Sequence, residues 1–273
     1  MKILIAGDME GITGVSRWEH VSPSNPEYTR FRKLMTEDVN AAVSGAFHAG
    51  ADEIMVSDGH HFGQNLLIEE LNQNVIFNNG TSSPWSMMNG IETGINAVIC
   101  IGYHAKSGTL NAILAHTWEK YVLDLRINGQ SMGEFGLNAM IAGYFGASMI
   151  MVSGDQALAE EARSLLPEVE CAQVKTATGY YSGRCLTPEK SQKVIFEKAE
   201  AAVTKFAEGN GPQPLIISAP IRVEVDFDEP FKAEKAARLP GSSRMAGRTT
   251  GIVCKDVPDA FHAFRTLCDL ADC

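Results

Sequence analysis

Short apolar runs that end in acidic or imidazole side chains recur along the first part of the chain. Residues 2–6, 54–57 and 96–101 are such runs, and their shortness and continuity predict buried strands. Between the first two runs, apolar residues recur at helical spacing from about Tyr28 until Gly50 ends the repeat. Strands that alternate with helices in this way predict an α/β layered domain with a largely parallel sheet.

The alternation continues toward the middle of the chain. Residues 122–127 alternate apolar and polar side chains and lead to Asn128-Gly129, which is a hairpin signal. A second helix and a strand over 149–152 follow, and then a helix that Asp155 caps. We therefore expect the α/β domain to span residues 1–166.

The pattern changes in the last third of the chain. The sequence predicts a long helix over 187–206, strand-like segments within 215–227 and over 250–254, and a closing amphipathic helix over 256–272. This mixture predicts a smaller α+β domain at residues 167–273.

The balance of charges limits the partners that we expect. The chain has 33 acidic and 23 basic residues, a formal charge of −10, and no basic run. Nucleic acid and an anionic membrane surface are therefore not expected as partners. An acidic cavity would instead suit metal cations or substrates that carry an ammonium group.

Two features of the sequence bear on where the protein resides. It contains neither an 18-residue apolar stretch nor a signal-type apolar region, so we expect a cytoplasmic protein. Its six cysteines form no CxxC pair, and in a reducing compartment we expect them to be free thiols.

Candidate metal ligands follow three of the predicted strands. Asp8 and Glu10 follow the first strand, His60 the second and His104 the third. Taken singly, each has an ordinary structural explanation, such as a turn cap for Asp8 or a satisfied structural histidine for His60. Because ligands of an open α/β sheet gather beyond the carboxyl ends of its strands, three such ends together favour a cation site.

Two more candidates lie further along the chain. His116 is near a predicted strand end, and Glu134 lies in the first turn of the second helix. A carboxylate at that position also has a structural explanation, since it gains about 0.3–1 kcal/mol from the helix dipole. Neither residue would indicate a site by itself.

Five short motifs contain these candidates in a fixed order. They are Asp8-Met9-Glu10-Gly11, Asp58-Gly59-His60, Gly102-Tyr103-His104-Ala105, Ala115-His116-Thr117 and Gly133-Glu134. In this order and at these distances, they resemble the M55 metallopeptidases, the D-aminopeptidase family associated with dipeptide-transport operons. The likeness extends to Ser153-Gly154-Asp155 and Leu239-Pro240-Gly241, and thus through most of the chain. Where a Gly is common after the family's second motif, this chain has His61.

The resemblance implies a role for each candidate. The family's ligands hold two zinc ions, and they fall on Asp8 as the bridge, Glu10 and His60 for one ion, and His104 and Glu134 for the other. His116 falls on the catalytic group beside the metals. The resemblance also implies a two-domain α/β subunit that assembles into a ring-stacked decamer around a channel.

The chemistry of these side chains agrees with a pair of zinc ions. Zinc favours imidazole nitrogen and carboxylate oxygen, and three carboxylates with two neutral histidines cancel most of the charge of two divalent ions. Two or three protein ligands per ion leave coordination positions open, which is typical of a catalytic site. Two ions about 3.5–4 Å apart can activate water and stabilise both oxygens of a tetrahedral intermediate.

The sequence therefore predicts a dinuclear zinc aminopeptidase that acts on short peptides or amino-acid amides, with a D-alanine-like preference implied by the resemblance alone. His116 is expected to be the general base, rather than a covalent nucleophile. Two alternatives remain open: a metal-dependent phosphoesterase, and a dipeptide-binding or scaffold protein whose metals only hold the fold. Phosphate sites usually add basic side chains, and the motifs offer only Lys106.

Overall fold

A computed structural model describes residues 1–272 of the chain. The strands, in chain order, are β1 Lys2–Gly7, β2 Glu53–Asp58, β3 Ile76–Asn78, β4 Ala97–Ile101, β5 Val122–Ile127, β6 Gln130–Met132, β7 Ser148–Asp155, β8 Glu170–Gly179, β9 Ser182–Cys185, β10 Ile221–Phe227, β11 Ser243–Arg244 and β12 Thr249–Cys254. The α-helices are α1 Trp18–Val21, α2 Tyr28–His48, α3 Glu134–Tyr144, α4 Gln156–Leu165, α5 Pro188–Ala207, α6 Pro230–Ala236 and α7 Val257–Ala271.

A seven-stranded sheet forms the centre of the molecule. Its strand order is β3-β2-β1-β4-β7-β8-β9, and only the β8–β9 pairing is antiparallel. The predicted α/β class with a largely parallel sheet is therefore confirmed. Strands β1 and β4 consist almost entirely of buried residues, as expected where helices and loops cover both faces of a parallel sheet.

The second sheet has five antiparallel strands in the order β11-β12-β10-β5-β6. The predicted division after residue 166 does not coincide with the division between the sheets. Strands β8 and β9 follow residue 166 but belong to the large sheet. The β5–β6 hairpin precedes residue 166 but belongs to the second sheet, where β5 pairs with β10. The helix α5 also belongs with the large sheet, because it packs against α2 and β8.

The long helix predicted from Tyr28 forms as α2, and its apolar residues pack on the sheet. The helix predicted from Pro188 forms as α5 and runs alongside α2. Gly45 allows this close approach, because a Cβ there would lie 2.4 Å from the carbonyl oxygen of Phe196. Within residues 1–272, no helix combines the length and apolar character needed to cross a bilayer.

The parallel pairing of β1 with β2 and β4 brings the ends of these three strands together. Gly7, the last residue of β1, is in register with Asp58 on β2 and with Ile101 on β4. The first three motifs lie at or directly after the ends of these strands, so the fold places them at one edge of the large sheet.

Candidate metal centre

The segment after β1 turns over the end of β4. The amide of Asp8 donates to the carbonyl of Ile101, and the amide of Gly11 donates to the carbonyl of Gly102. Gly11 has no space for a side chain, because a Cβ there would lie 1.9 Å from the carbonyl oxygen of Tyr103. This close contact holds the carboxylates of Asp8 and Glu10, both almost fully buried, beside the motif that follows β4.

His60 connects the end of β2 to this pair of carboxylates. Its Nδ1 lies 3.3 Å from Oδ1 of Asp8 and 3.2 Å from Oε2 of Glu10. The other ring nitrogen, Nε2, lies 2.8 Å from the carbonyl of Val21 and donates to it in the tautomer that leaves Nδ1 free. A histidine that binds metal commonly donates its second nitrogen to a carbonyl in this way.

His104 has the same arrangement on the other side of Asp8. Its Nε2 lies 3.5 Å from Oδ2 of Asp8 and 3.2 Å from Oε1 of Glu134. Its Nδ1 lies 3.1 Å from the carbonyl of Ala105, which can accept a hydrogen bond from it. The two carboxylate oxygens of Asp8 thus face imidazoles from two different strand ends.

Glu134 enters the cluster from the first turn of α3. Its Oε1 accepts a hydrogen bond of 2.8 Å from the amide of Trp118. His116 is next to it, with Nε2 3.8 Å from the same oxygen and Nδ1 2.9 Å from the carbonyl of Leu114. The side chain of His116 is 12% exposed, more than the five others, so it is open to the adjacent cavity.

The backbone on both sides of His116 is strained. Leu114 and Trp118 have φ angles of 53° and 65°, a region that bulky side chains rarely adopt. Hydrogen bonds from the amide of Leu114 to Tyr180 and from the amide of His116 to Ala105 hold this segment in place. Strain of this kind is commonly found at functional sites, where surrounding contacts maintain it.

All six residues predicted from the sequence therefore lie in one connected cluster. Within residues 1–272, two sets of ligand atoms lie within 4.8 Å of one another: those of Asp8, Glu10 and His104, and those of His104, His116 and Glu134. The second set includes His116, so geometry alone would also allow it to bind a metal.

Two buried atoms show that the cluster fits a cation. Among the described residues, five buried side-chain atoms have no hydrogen-bond partner, and two of them, Oε2 of Glu10 and Nε2 of His104, lie in the cluster. Buried polar atoms are nearly always satisfied, and a cation bound at the cluster would give both of these atoms a partner. The donor set of carboxylate oxygens and imidazole nitrogens suits zinc.

The carboxylates respond differently to burial. Burial raises the pKa of Asp8 to about 7, and the neighbouring charge of Glu10 adds to this rise. Burial also acts to raise the pKa of Glu10, but the charge of His60, whose Nδ1 lies 3.2 Å from Oε2, holds it well below its usual value. The charge of His104 similarly outweighs burial and lowers the pKa of Glu134.

The histidines divide into two kinds. Burial disfavours the charged form of His60 and His104, but the carboxylates outweigh it, raising the pKa of His60 well above its usual value and that of His104 to about 10. Burial, together with the charge of His104, instead lowers the pKa of His116 to about 4. His116 is therefore the imidazole of the cluster that remains neutral at physiological pH.

A cavity of about 520 Å³ opens onto the cluster. Its walls include the metal-ligand candidates Asp8, Glu10, His60 and Glu134, with His116. The walls also include further acidic and aromatic side chains, namely Trp18, Trp118, Glu19, Glu119 and Asp269. A space of this size accommodates a small ligand, and its acidic walls suit an ammonium group.

The motifs also contain residues whose role the sequence did not reveal. Asp58 is not a ligand: its carboxylate accepts hydrogen bonds from the amides of Asn65 and Leu66 and from the side chain of Asn65. The side chain of Asn65 also donates to the carbonyl of His60. Asp58 therefore holds the loop that carries His60. A carboxylate at a strand end is ambiguous in sequence, because capping and metal binding use the same residue type.

The Ser153-Gly154-Asp155 motif supports the loop that carries His104. The hydroxyl of Ser153 accepts from the amide of Gly102, and a Cβ on Gly154 would lie 2.3 Å from the carbonyl oxygen of Tyr103. Asp155 caps α4, as predicted, and its second oxygen accepts from the amide of Ile113. This motif therefore contributes to the site without contacting the candidate ligands.

Lys175, a buried residue of β8, was not predicted from the sequence as part of the site. Its ammonium donates to the carbonyls of Glu10, Ile12 and Val15. Burial lowers the pKa of Lys175 to about 8, while neighbouring acids, Asp155 first among them, act to raise it. No local pattern predicts this residue, because its partners are more than 150 positions away in the sequence.

Carboxylates and imidazoles that the strand ends of an α/β sheet bring to one cavity are typical of metal-dependent hydrolases. The sequence profile of the Peptidase_M55 family, described as D-aminopeptidase, matches residues 1–266. This chain therefore belongs to the Peptidase_M55 family, which confirms the resemblance, and it is a metallopeptidase.

A similar sequence and a similar solved structure agree with this assignment. A D-aminopeptidase of Bacillus subtilis (strain 168) is 33% identical over 274 residues, covering 99% of this chain and 98% of its own length. The solved structure of the Zn-dependent D-aminopeptidase DppA from Bacillus subtilis, a self-compartmentalizing protease, matches with a TM-score of 0.95. The match has 31% identity and covers 99% of this chain and 98% of DppA.

Proposed function

We propose that this chain is a zinc-dependent D-aminopeptidase that uses two zinc ions to hydrolyse the N-terminal amide bond of short peptides or amino-acid amides. One observation carries the proposal: the two carboxylate oxygens of Asp8 face His60 and His104, which come from different strand ends. A carboxylate in this position is suited to bridge two cations. Glu10 and His60 complete one side of the cluster, and His104 and Glu134 complete the other.

Zinc at this site supplies Lewis-acid chemistry, in which the scissile carbonyl is polarised and the pKa of bound water falls toward about 7. The protein supplies the electrostatic setting. Its acidic cavity walls, among them Glu19 and Glu119, attract the amino terminus of the substrate.

His116 is the proposed general base. In the tautomer that donates from Nδ1 to the carbonyl of Leu114, its Nε2 is free to accept a proton. Burial, the larger cause of its lowered pKa, favours the unprotonated form of this imidazole at neutral pH. Nε2 takes the proton of the attacking water and then gives it to the amine that leaves, so the imidazole is neutral again at the end of the cycle.

The preference for D-amino acids, and for D-alanine among them, is proposed from the similarity to the D-aminopeptidases. We also propose a ring-type homo-oligomer, with a decamer as the expected state, since the similar DppA is a self-compartmentalizing protease.

A cytoplasmic location stays a prediction. The buried thiols of Cys100, Cys171, Cys254 and Cys268 suit a reducing compartment.

Phosphoester hydrolysis is the less favoured alternative. Lys106, the basic residue that the motifs offer, donates to the hydroxyl of Ser131, at 2.5 Å, and lines a separate pocket. Two other basic residues, Lys120 and Arg265, line the cavity, but its acidic residues outnumber them. Membership in a peptidase family also favours amide hydrolysis.

The deciding experiment measures metal content and turnover on freshly purified protein. D-Ala-p-nitroanilide, its L-enantiomer and p-nitrophenyl phosphate are compared before and after treatment with a chelator, while far-UV circular dichroism follows the fold. We expect two zinc ions per chain and preferential turnover of the D-anilide. A chelator should abolish turnover without unfolding the protein, and added zinc should restore it. Loss of the fold on chelation, with no turnover beforehand, would instead support a scaffold role.

A further inference from the structure

Lys175 places a positive charge beneath the segment that carries Asp8 and Glu10. Its side chain is 2% exposed, and its Nζ lies 3.1 Å from the carbonyl of Ile12 and 2.8 Å from that of Val15, besides its bond to the carbonyl of Glu10. An ammonium group has three N–H donors, and three carbonyls accept them here. One side chain therefore ties down three points of a six-residue stretch.

The stretch from Glu10 to Val15 has no regular secondary structure of its own that would fix it. It leaves β1, crosses the end of β4 through the contact of Gly11 with Gly102, and reaches the region of β8. Besides Lys175, the hydroxyl of Thr13 anchors it by donating to the carbonyl of Leu186 at 2.6 Å. The position of the Glu10 carboxylate therefore depends on contacts from strands distant in sequence.

A lysine is a costly choice if only packing is needed at this position. Burying an ammonium group is unfavourable unless its donors are satisfied, and an apolar side chain would fill the space without that penalty. The nearby carboxylate of Asp155, in register with Lys175, already accepts from the amides of Ile113 and Leu158. The hydrogen bonds of Lys175 instead go to the main chain of the segment that carries Glu10.

We propose that Lys175 is a positioning residue for the metal centre: it fixes the main chain of residues 10–15, so that the Glu10 carboxylate is held against His60. This inference rests on the proposed function, because it assigns Lys175 to the metal site of that function. Without the ammonium group, three buried carbonyls lose their donor and the segment shifts to find new ones. The fold of the sheets remains, but Glu10 no longer has a fixed place in the cluster.

The test compares the zinc affinity of metal-free wild type with that of Lys175→Met and Lys175→Arg, by competition with a chromophoric chelator. Visible spectra of the cobalt-substituted proteins report the ligand geometry, and urea unfolding of the metal-free proteins reports stability. Lys198→Met is the matched control. Lys198 is a residue of α5 that pairs with Glu170, which lies on β8 as Lys175 does, but away from the cluster.

We expect Lys175→Met to weaken zinc binding about 10- to 100-fold, as is typical when a residue that supports a ligand is lost. Its cobalt spectrum should also change. Lys175→Arg should recover part of the affinity, because a guanidinium keeps the charge and several donors. Lys198→Met should bind zinc as the wild type does.

Wild-type zinc affinity and cobalt spectrum in Lys175→Met would overturn the proposal, even if the variant were less stable, because the lysine would then be only structural. Should Lys175→Met not fold, Lys175→Gln decides, because its amide offers at most two donors for three carbonyls: a shifted cobalt spectrum with weaker zinc binding supports the proposal, and wild-type values overturn it. Turnover of D-Ala-p-nitroanilide by zinc-loaded wild type is measured as a separate test of the proposed function. Its absence would contradict the proposed function while leaving the affinity comparison valid.

Discussion

The imidazole rings of His104 and His116 lie parallel, with their centroids 3.8 Å apart and an angle of 15° between their planes. The two rings nevertheless have opposite electrostatic settings. His104 is held between the carboxylates of Asp8 and Glu134, whereas burial disfavours a proton on His116. This pairing separates a metal-ligand candidate from a proton acceptor within a single stack.

The first prediction concerns His116→Ala. We expect kcat for D-Ala-p-nitroanilide to fall by about 10²–10⁴-fold, because the group that moves the proton is removed. Metal content, measured by mass spectrometry, should stay at two zinc ions per chain. His48→Ala is the control, since His48 is largely exposed and pairs with Glu200. A loss of zinc from His116→Ala would show that His116 is a ligand.

The second prediction concerns Asp8→Asn. A neutral amide in place of the carboxylate removes one charge and one of the two oxygens that face His60 and His104, so we expect both zinc ions to be lost. Zinc content after dialysis, with Asp52→Asn as an exposed control, measures the effect. Full zinc occupancy in Asp8→Asn would refute a bridging role.

The third prediction concerns Asp58→Ala. This change leaves two buried backbone amides and one of the two side-chain N–H groups of Asn65 without their acceptor, so we expect a loss of about 2–4 kcal/mol in the free energy of unfolding. Urea unfolding of the metal-free protein measures it, and Asp228→Ala, an exposed site, is the control. A change below about 1 kcal/mol would mean that the loop of His60 does not depend on Asp58.

The fourth prediction concerns the pH dependence of stability through Asp38, a carboxyl buried between α2 and α5. Burial raises its pKa to about 7, although Ser191 and the amide of Thr13 donate hydrogen bonds to it. Since the unfolded value is about 3.9, the folded protein binds more protons between these two pH values. The contribution of Asp38 to stability therefore falls as the pH rises from about 4 to about 7, and stays low above that.

Asp38→Asn removes this titration. We expect the variant to gain stability relative to wild type as the pH rises from about 4 to about 7, by a few kcal/mol at most. Urea unfolding at several pH values measures the difference, with Glu197→Gln as a control at an exposed carboxylate of α5. A difference that does not vary with pH would contradict the prediction.

Much of the fold could be predicted from local patterns. The helical repeat of α2 and the proline at the start of α5 are local signals, and both helices form where the sequence predicts them. Strand β8 was missed, because it carries polar residues such as Lys175, whose burial depends on carbonyls far away in sequence. The pairing of the β5–β6 hairpin with β10 could not be predicted either, since β10 lies about a hundred residues later in the sequence.

The meeting of the candidate ligands at one place could be expected from the topology of the sheet. Parallel strands deliver their ends to one edge, so the clustering of Asp8, His60 and His104 could be expected from three strand ends. The roles of Asp58 and Lys175 could not, because a carboxylate or an ammonium group in a sequence does not reveal whether it faces a cation or the main chain. Only the positions of the amides and carbonyls around them decide that.

The position of Glu134 has a consequence for the order of events during folding. This carboxylate comes from α3, which follows directly on the hairpin that pairs with β10 of the smaller sheet. The ligand set is therefore complete only when α3 is in place against β7 of the large sheet and against α7, which packs on the smaller sheet. A partly folded chain in which α3 has not docked lacks one carboxylate of the set, so we expect metal uptake to follow the docking of this helix.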